Sequence, residues 1–313
     1  MRIVFMGTPG FAVPSLKTLI ESGYDIAAVV TAPDKPAGRG QQIMKSEVKM
    51  FAESHGIKIL QPTNLKSEDF TKELKELSAD LQIVIAFRML PEAVWNMPPL
   101  GTYNLHASLL PDYRGAAPIN WAIINGENES GVTTFKLKHE IDTGNILLQE
   151  KVKINEEMTA GELHDVLMEV GADVVLKSVK CIESGNIYLK EQEEKPVQKH
   201  APKIFRDNCK IDWDKSVEDI HNLIRGLSPY PAAWTEFKNG NEEILYLKIF
   251  KTKLIETKVK NDKNFLSFEG DKIYAICNNG KIEILELQAP GKKRLSSSDF
   301  IKGYRLHAEN LLL

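Results

Sequence analysis

NLHASLLPDYRGAAP occupies residues 104–118. Asn104 and His106 stand two apart in an apolar run that breaks into a Ser-Leu-Leu-Pro turn at Ser108, Leu109, Leu110 and Pro111. In a strand, residues i and i+2 point to one face. An amide and an imidazole then look into the same space where a strand gives way to a loop. That is the usual address of a site in an α/β sheet. The expected element is a strand ending near His106, followed by a turn whose backbone groups are free.

Upstream of this stretch, strand-like and helix-like segments alternate. RIVFMG is a β-branched and aromatic run that ends in Gly7, so a buried strand is expected. FAVPSLKTLIESG carries apolar residues at helical spacing and stops at Gly23. DIAAVVTAP reads as a strand, VKMFAESHG as a helix, IKILQP as a short strand, EDFTKELKELSA as a helix and LQIVIAF as a strand. The expected fold is α/β: a Rossmann-like, mostly parallel sheet with helices on both faces. Downstream, Val132 to Ile154 reads as paired strands and Thr159 to Glu183 as one long amphipathic helix. PDKPAGRGQQIMK, residues 33–45, reads as a loop rich in Pro, Gly and basic residues.

The pattern changes near Leu189. KEQEEKPVQKHAPK is polar, carries two prolines and has little periodicity, as a linker does. Beyond it DKSVEDIHNLIRGL reads as a helix, and from about Trp234 short strands alternate with Asn/Gly turns, as in a small barrel or sandwich. The expected division is a first domain over 1–189, a linker over 190–204 and a second domain over 205–313.

Composition narrows the class. The chain has 313 residues, 42% hydrophobic and 27% charged, with a net charge of −3. These are ordinary values for a globular protein. A near-balanced charge excludes a bulk polycation, so any nucleic-acid contact comes from local patches. Cys181, Cys209 and Cys277 lie far apart, with neither a disulfide framework nor a zinc spacing, which fits free thiols in a reducing compartment. No apolar run approaches the roughly 20 residues needed to span a bilayer, and the opening MRIVFMG is too short for a signal peptide. A cytoplasmic protein is expected.

Which residues can do chemistry? GTPGFA, residues 7–12, sits between a strand and a helix but is not GxGxxG. Such a turn at a helix N-terminus can hold an anion, but a tight βα connection, using glycine's tolerance of positive φ, is enough to explain it. His106 alone reads as a core histidine. With Asn104 on its face and Asp142 in EIDTG (residues 140–144), a different reading opens. The amide can donate to a developing oxyanion. The imidazole can handle a proton or stabilise charge as a cation. The carboxylate can orient the imidazole and favour its charged form. Such a trio suits acyl transfer, and Asp142 alone would pass for a turn residue. A metal site on His106, His139 and Asp142 lacks HExxH or any i, i+4 histidine pair. Ser108 as a nucleophile lacks a GxSxG elbow.

NLHASLLPDYRGAAP, followed by INWAIINGENESGVT and IDTGNIL, resembles the folate-dependent formyltransferases. MRIVFMGTPGFAVPSL, TAPDKPAGRG, HAPKI and IDWDKSVEDIHNLIRGLSPYPAAWT extend the likeness over nearly the whole chain, in the family's order. The loop and the C-terminal stretches point to the branch that acts on tRNA. The resemblance implies that Asn104, His106 and Asp142 are catalytic and that Ser108, Leu109, Leu110 and Pro111 contact the folate. It implies transfer of a formyl group from 10-formyltetrahydrofolate to the α-amine of methionyl initiator tRNA, without a metal. The product would be N-formylmethionyl-tRNA for translation initiation. It further implies a smaller C-terminal OB-like β-barrel that binds tRNA, and a monomer with no membrane partner. Arg39 and Lys45 in the first long loop, and Lys292, Lys293 and Arg294 in the second domain, are the expected tRNA contacts. Lys248, Lys251 and Lys253 are weaker candidates on one strand.

Two positions depart from the family. AFRMLP puts Phe87, Arg88 and Met89 where many relatives carry an aromatic-Gly pair, in the region that lines the pterin pocket. Gly10 stands where an acidic residue is common. A glycinamide ribonucleotide or a sugar nucleotide would use the same trio as acceptor, but the second domain speaks against the former and TAPDKPAGRG and HNLIRGLSPYPAAWT against the latter. A non-catalytic nucleotide- or RNA-binding module, with His106 structural, is the reading from another class.

Overall fold

The computed structural model describes residues 1–37, 42–193, 196–238, 243–256, 264–277, 280–303 and 310–312. The first half contains β1 (Arg2–Gly7), α1 (Val13–Glu21), β2 (Asp25–Val30), β3 (Lys35–Ala37), β4 (Gln42–Met44), α2 (Glu47–Ser54), β5 (Ile59–Leu60), α3 (Glu68–Glu76), β6 (Leu81–Ile85), α4 (Glu92–Trp95) and β7 (Thr102–His106). Then come β8 (Arg114–Gly115), α5 (Pro118–Ile124), β9 (Glu129–Lys136), β10 (Ile146–Lys153), α6 (Ala160–Glu183) and β11 (His200–Ala201). The last third holds α7 (Val217–Leu227), β12 (Ala233–Lys238), β13 (Ile244–Glu256), β14 (Phe265–Glu269), β15 (Lys272–Cys277), β16 (Gly280–Gln288), β17 (Leu295–Ser296), α8 (Ser297–Gly303) and β18 (Asn310–Leu312).

Two compact units emerge. One comprises Met1–Gly115, Ser130–Val152 and His164–His200; the other comprises Ala116–Glu129, Lys153–Leu163 and Ala201–Leu313. In the first, seven strands lie in the order β10-β9-β7-β6-β1-β2-β5. The pairs β1–β2, β1–β6, β2–β5 and β6–β7 are parallel, and β7–β9 is antiparallel. This is the expected mostly parallel sheet. β1 and β6 read as unbroken apolar runs because both their faces are covered; Ile3, Val4, Phe5 and Met6 are fully buried. The chain leaves β1 in one direction and returns to build β6 and β7 on its other side. The carboxyl ends of the central parallel strands therefore lie at a switch in strand order, the place where such sheets bind ligands.

Two helices are capped by their own side chains. Ser46 caps α2 by accepting from the Lys49 amide at 3.1 Å. Thr159 and Glu162 form a reciprocal capping box before α6, each side chain accepting from the other's backbone amide, at 2.8 and 3.2 Å.

Two expectations are corrected here. Residues 33–45 are not wholly a loop: β3 and β4 pair antiparallel, Lys35 opposite Met44. The stem is tied by Lys49, which donates to Asp34 at 2.6 Å and to Gln61 at 2.8 Å, and by a Thr31–Ser46 hydroxyl contact at 2.8 Å. The Gly7–Ala12 turn needs its first glycine for space, not for positive φ. Neither Gly7 nor Gly10 has positive φ, and a Cβ on Gly7 would lie 2.8 Å from that of Ala12.

In the second unit the short strands form a curled antiparallel sheet in the order β13-β12-β18-β14-β15-β16-β17. β13 pairs with β12 over residues 244–249 and with β16 over residues 248–256, bending at irregularities around Lys251. One long strand thus serves both edges, and the sheet closes as a small barrel. α7 packs its apolar face, including Ile220, Ile224 and Leu227, into the same core as Trp213, Phe237 and Ile249. Cys181 and Cys209 are free thiols, and burial pushes the Cys277 thiol up to about 12. No helix among the described residues is long and apolar enough to cross a membrane.

Candidate active site

β7 positions the first two residues. Asn104 and His106 share a face, as their spacing predicts. Thr133 of β9 lies opposite His106 and Phe135 opposite Asn104. His106 is buried, at 7% exposure. Its Nε2 lies 2.9 Å from the Tyr113 carbonyl oxygen. A carbonyl only accepts, so Nε2 carries a proton in either charge state. Nδ1 is left to face the Asp142 carboxylate, 4.0 Å from Oδ2. The same Oδ2 accepts the Gly115 amide at 3.2 Å. The structure therefore brings His106 and Asp142 together, with Asn104 one pleat back on the same strand. The Asn104 side-chain amide makes no hydrogen bond among the described residues.

Both groups beside the imidazole sit on strained backbone. Tyr113 has φ 61° and Asp142 has φ 53°. Left-handed backbone costs a non-glycine residue roughly 1–2 kcal/mol. Such strain persists where the surroundings over-determine the conformation, and it collects at functional sites. Tyr113 is nearly fully buried, and its amide donates to the Lys199 carbonyl at 2.7 Å. The DTG turn is held by close approach: a Cβ on Gly144 would lie 1.7 Å from the Lys136 carbonyl oxygen.

The turn at Ser108–Pro111 differs from the expectation of free backbone groups. Thr133 Oγ1 donates to the Ser108 carbonyl at 2.6 Å and accepts the Leu110 amide at 3.2 Å. Gln149 Nε2 donates to the Leu110 carbonyl at 2.9 Å and to Thr133 Oγ1 at 2.9 Å. The Pro111 carbonyl accepts from Gln198 at 2.9 Å, and the Leu109 carbonyl accepts the Asp112 amide at 3.2 Å. The Ser108 hydroxyl donates to the Asp112 carbonyl at 2.7 Å. A buried turn has to satisfy its own polar groups, and this one recruits β9 and β10 to do so. Ser108 and Leu110 are buried; Leu109 and Pro111 are half-buried.

The other expected contacts scatter. Arg39 lies outside the described residues. Lys45 is exposed and ion-paired with Glu53 at 2.8 Å. Lys292 and Lys293 are exposed between β16 and β17. Arg294 is engaged internally, paired with Glu286 and stacked 4.4 Å over the Phe250 ring. Lys248 donates to the Pro231 carbonyl at 3.3 Å, while Lys251 and Lys253 are exposed on one side of β13. Arg88 caps the carbonyls of Pro62 and Thr63, the latter at 3.0 Å. Among the described residues, no three His, Cys, Asp or Glu side chains gather as a metal site would require.

Residues 1–179 match the formyl transferase family, and residues 203–305 match the formyl transferase C-terminal domain. The chain belongs to the formyl transferase family. It is 53% identical over 303 residues to the methionyl-tRNA formyltransferase of Flavobacterium johnsoniae, covering 97% of this chain and 96% of that one. It is 49% identical over 314 residues to that of Porphyromonas gingivalis, covering 99% and 97%. Its fold is similar to an N-formyltransferase from Helicobacter canadensis solved with folinic acid and dTDP-3-aminofucose. There the TM-score is 0.67 at 23% identity, over 90% of this chain and 98% of that one. It is also similar to HypX of Aquifex aeolicus in complex with tetrahydrofolic acid, at a TM-score of 0.65 and 18% identity, over 99% of this chain and 50% of that one.

Membership fits the geometry of the Asn-x-His strand and the DTG turn. Reading by motif missed the groups that hold the trio. The Tyr113 carbonyl on His106 and the Gly115 amide on Asp142 act through backbone placement, and Thr133, an ordinary strand residue, ties the Ser108–Pro111 turn; none of these carries a sequence signal.

Proposed function

We propose that this chain transfers the formyl group of 10-formyltetrahydrofolate to the α-amine of methionyl initiator tRNA, giving N-formylmethionyl-tRNA and tetrahydrofolate. The observation that carries the reading is His106 held between the Tyr113 carbonyl and the Asp142 carboxylate, beside the unbonded Asn104 amide. The near full-length likeness to methionyl-tRNA formyltransferases supports the acceptor. Solved relatives with folinic acid or tetrahydrofolic acid support the donor class.

The chemistry follows from the residues. The Asn104 amide and the protonated His106 stabilise the formyl oxygen as it gains negative charge when the amine attacks. Asp142 holds His106 and receives the proton lost by the attacking amine, directly or through a water. Collapse re-forms the carbonyl and breaks the bond from the formyl carbon to N10 of the folate, which takes up the proton that Asp142 received from the amine and leaves as tetrahydrofolate. Ser108–Pro111 shape the wall against which the folate lies. Residues 205–313 bind the tRNA, with Lys292 and Lys293 exposed for phosphate contact and Lys45 and Arg39 at the acceptor end. Arg294 serves that surface after exchanging its carboxylate partner for a phosphate. The enzyme works as a cytoplasmic monomer.

The test offers the purified protein 10-formyltetrahydrofolate with either methionyl initiator tRNA or an amino-sugar nucleotide. Formylation of the tRNA is expected, with His106→Ala lowering kcat by about 10²- to 10⁴-fold. Transfer to the sugar amine alone would keep the trio and overturn the acceptor.

A further inference from the structure

The segment expected to be a plain linker begins by crossing the catalytic turns. Lys190 bridges to Ile146 through two backbone hydrogen bonds, at 2.7 and 2.8 Å. Two residues on, the Gln192 side chain lies between two loops. Its Oε1 accepts from Arg114 twice, from Nε at 3.0 Å and from Nη2 at 2.6 Å. Its Nε2 donates to the Asp142 carbonyl at 2.9 Å and to the Gly144 carbonyl at 2.8 Å. One amide thus spends both donors on the turn that carries Asp142, and its acceptor on the residue after Tyr113.

These are the two loops that flank the His106 imidazole. Tyr113 supplies the carbonyl on Nε2, and Asp142 supplies the carboxylate facing Nδ1. Both residues have left-handed backbone, a conformation each would leave if released. A half-buried amide with every polar atom used suits a clasp that stops the release. We propose that Gln192, with Arg114, is a positioning residue for formyl transfer: it fixes the Asp142 turn to the Tyr113–Gly115 loop and so sets the carboxylate against His106. This rests on the formyl-transfer reading above.

The test pairs kinetics with a readout that needs no substrate. Gln192→Ala removes the clasp. Gln192→Glu keeps the size and the Arg114 bonds but loses both donors to the turn, so it covers the case in which the alanine variant fails to fold. Each should lower kcat roughly tenfold to a hundredfold, the range expected for small misplacements of reacting groups. KM for both substrates should stay within about twofold. In an Asp142→Asn background the same change should cost almost nothing further, because Gln192 acts through that carboxylate. Hydrogen exchange at the Gly115 amide, which donates to Asp142 Oδ2, should speed up several-fold in both variants. A KM effect alone, a kcat loss that simply adds to that of Asp142→Asn, or unchanged Gly115 exchange would each overturn the clasp. Should the wild-type protein fail to formylate methionyl-tRNA, the acceptor reading falls, while Gly115 exchange still judges the clasp.

Discussion

At the residue scale, His106 derives its setting from two neighbours that chain conformation disfavours. The alternation of β7 made the Asn104–His106 pair legible in the sequence, since period two is a property of any strand. The positive φ of Tyr113 was not legible, because a bulky aromatic is among the last residues expected there. Asp142 is easier to accept: Asp and Asn tolerate that region better than most. This difference separates charge from conformation by substitution. Asp142→Asn keeps a side chain suited to the turn and an oxygen for the Gly115 amide, and removes only the charge. It should lower kcat roughly a hundredfold with little change in melting temperature. Asp142→Ala should show a similar catalytic loss plus a destabilisation of roughly 1–2 kcal/mol from the strained backbone. Calorimetry beside steady-state kinetics reads both. Equal stability of the two variants would show that the left-handed turn exacts nothing here.

At the element scale, two glycines that look alike in the sequence behave differently. Gly10 and Gly144 both follow a turn-forming residue. A Cβ on Gly10 would meet only the Glu47 Cγ, at an ordinary 3.8 Å. On Gly144 it would strike the backbone of β9, and backbone does not yield as the end of a side chain does. Gly144→Ala should therefore push the 142–144 turn off β9, cost roughly 1–3 kcal/mol of stability and reduce kcat by moving Asp142. Gly10→Ala should lie within about 0.5 kcal/mol of wild type and keep full activity. Similar thermal shifts in the two variants would contradict this account. The same contrast explains what the sequence disclosed about elements. β1, β6 and helix α6 announced themselves because burial on both faces and long amphipathic spacing leave strong local patterns. The β3–β4 hairpin did not, since its pairing rests on Lys49, Asp34 and Gln61, whose contacts are not local. Nor did the role of Gln192, set in a polar stretch whose composition is that of a tether.

At the scale of the whole molecule, composition suggested a break near residue 189, yet the second compact unit also takes in Ala116–Glu129 and Lys153–Leu163. Contacts, which sequence composition does not report, decide such membership. Asn120 donates to the Gly226 carbonyl at 2.7 Å, and a Cβ on Gly226 would lie 2.6 Å from Ile124. His221 knots three passages of that unit together. It is buried on α7, with Nδ1 2.9 Å from the Thr252 hydroxyl of β13 and Nε2 3.2 Å from the Glu156 carbonyl. The neutral ring satisfies both: Nε2–H donates to the carbonyl and Nδ1 accepts from the hydroxyl. Burial holds its pKa below the ordinary 6.5, the Arg225 cation pushes the same way, and Glu156 and Glu157 oppose without winning. The sign follows. Below pH 6.5 the unfolded chain binds a proton at this position and the folded chain does not, so stability is lost as pH falls through the folded pKa. The carboxylates with lowered pKa values, Asp34 and Asp299, start from 3.8 and release their contribution only at lower pH. Between pH 7.5 and 5.5 the wild-type melting temperature should therefore drop more than that of His221→Gln, whose amide can still donate to the Glu156 carbonyl but does not titrate. Parallel curves over that interval would place the acid sensitivity elsewhere and leave His221 a neutral packing residue.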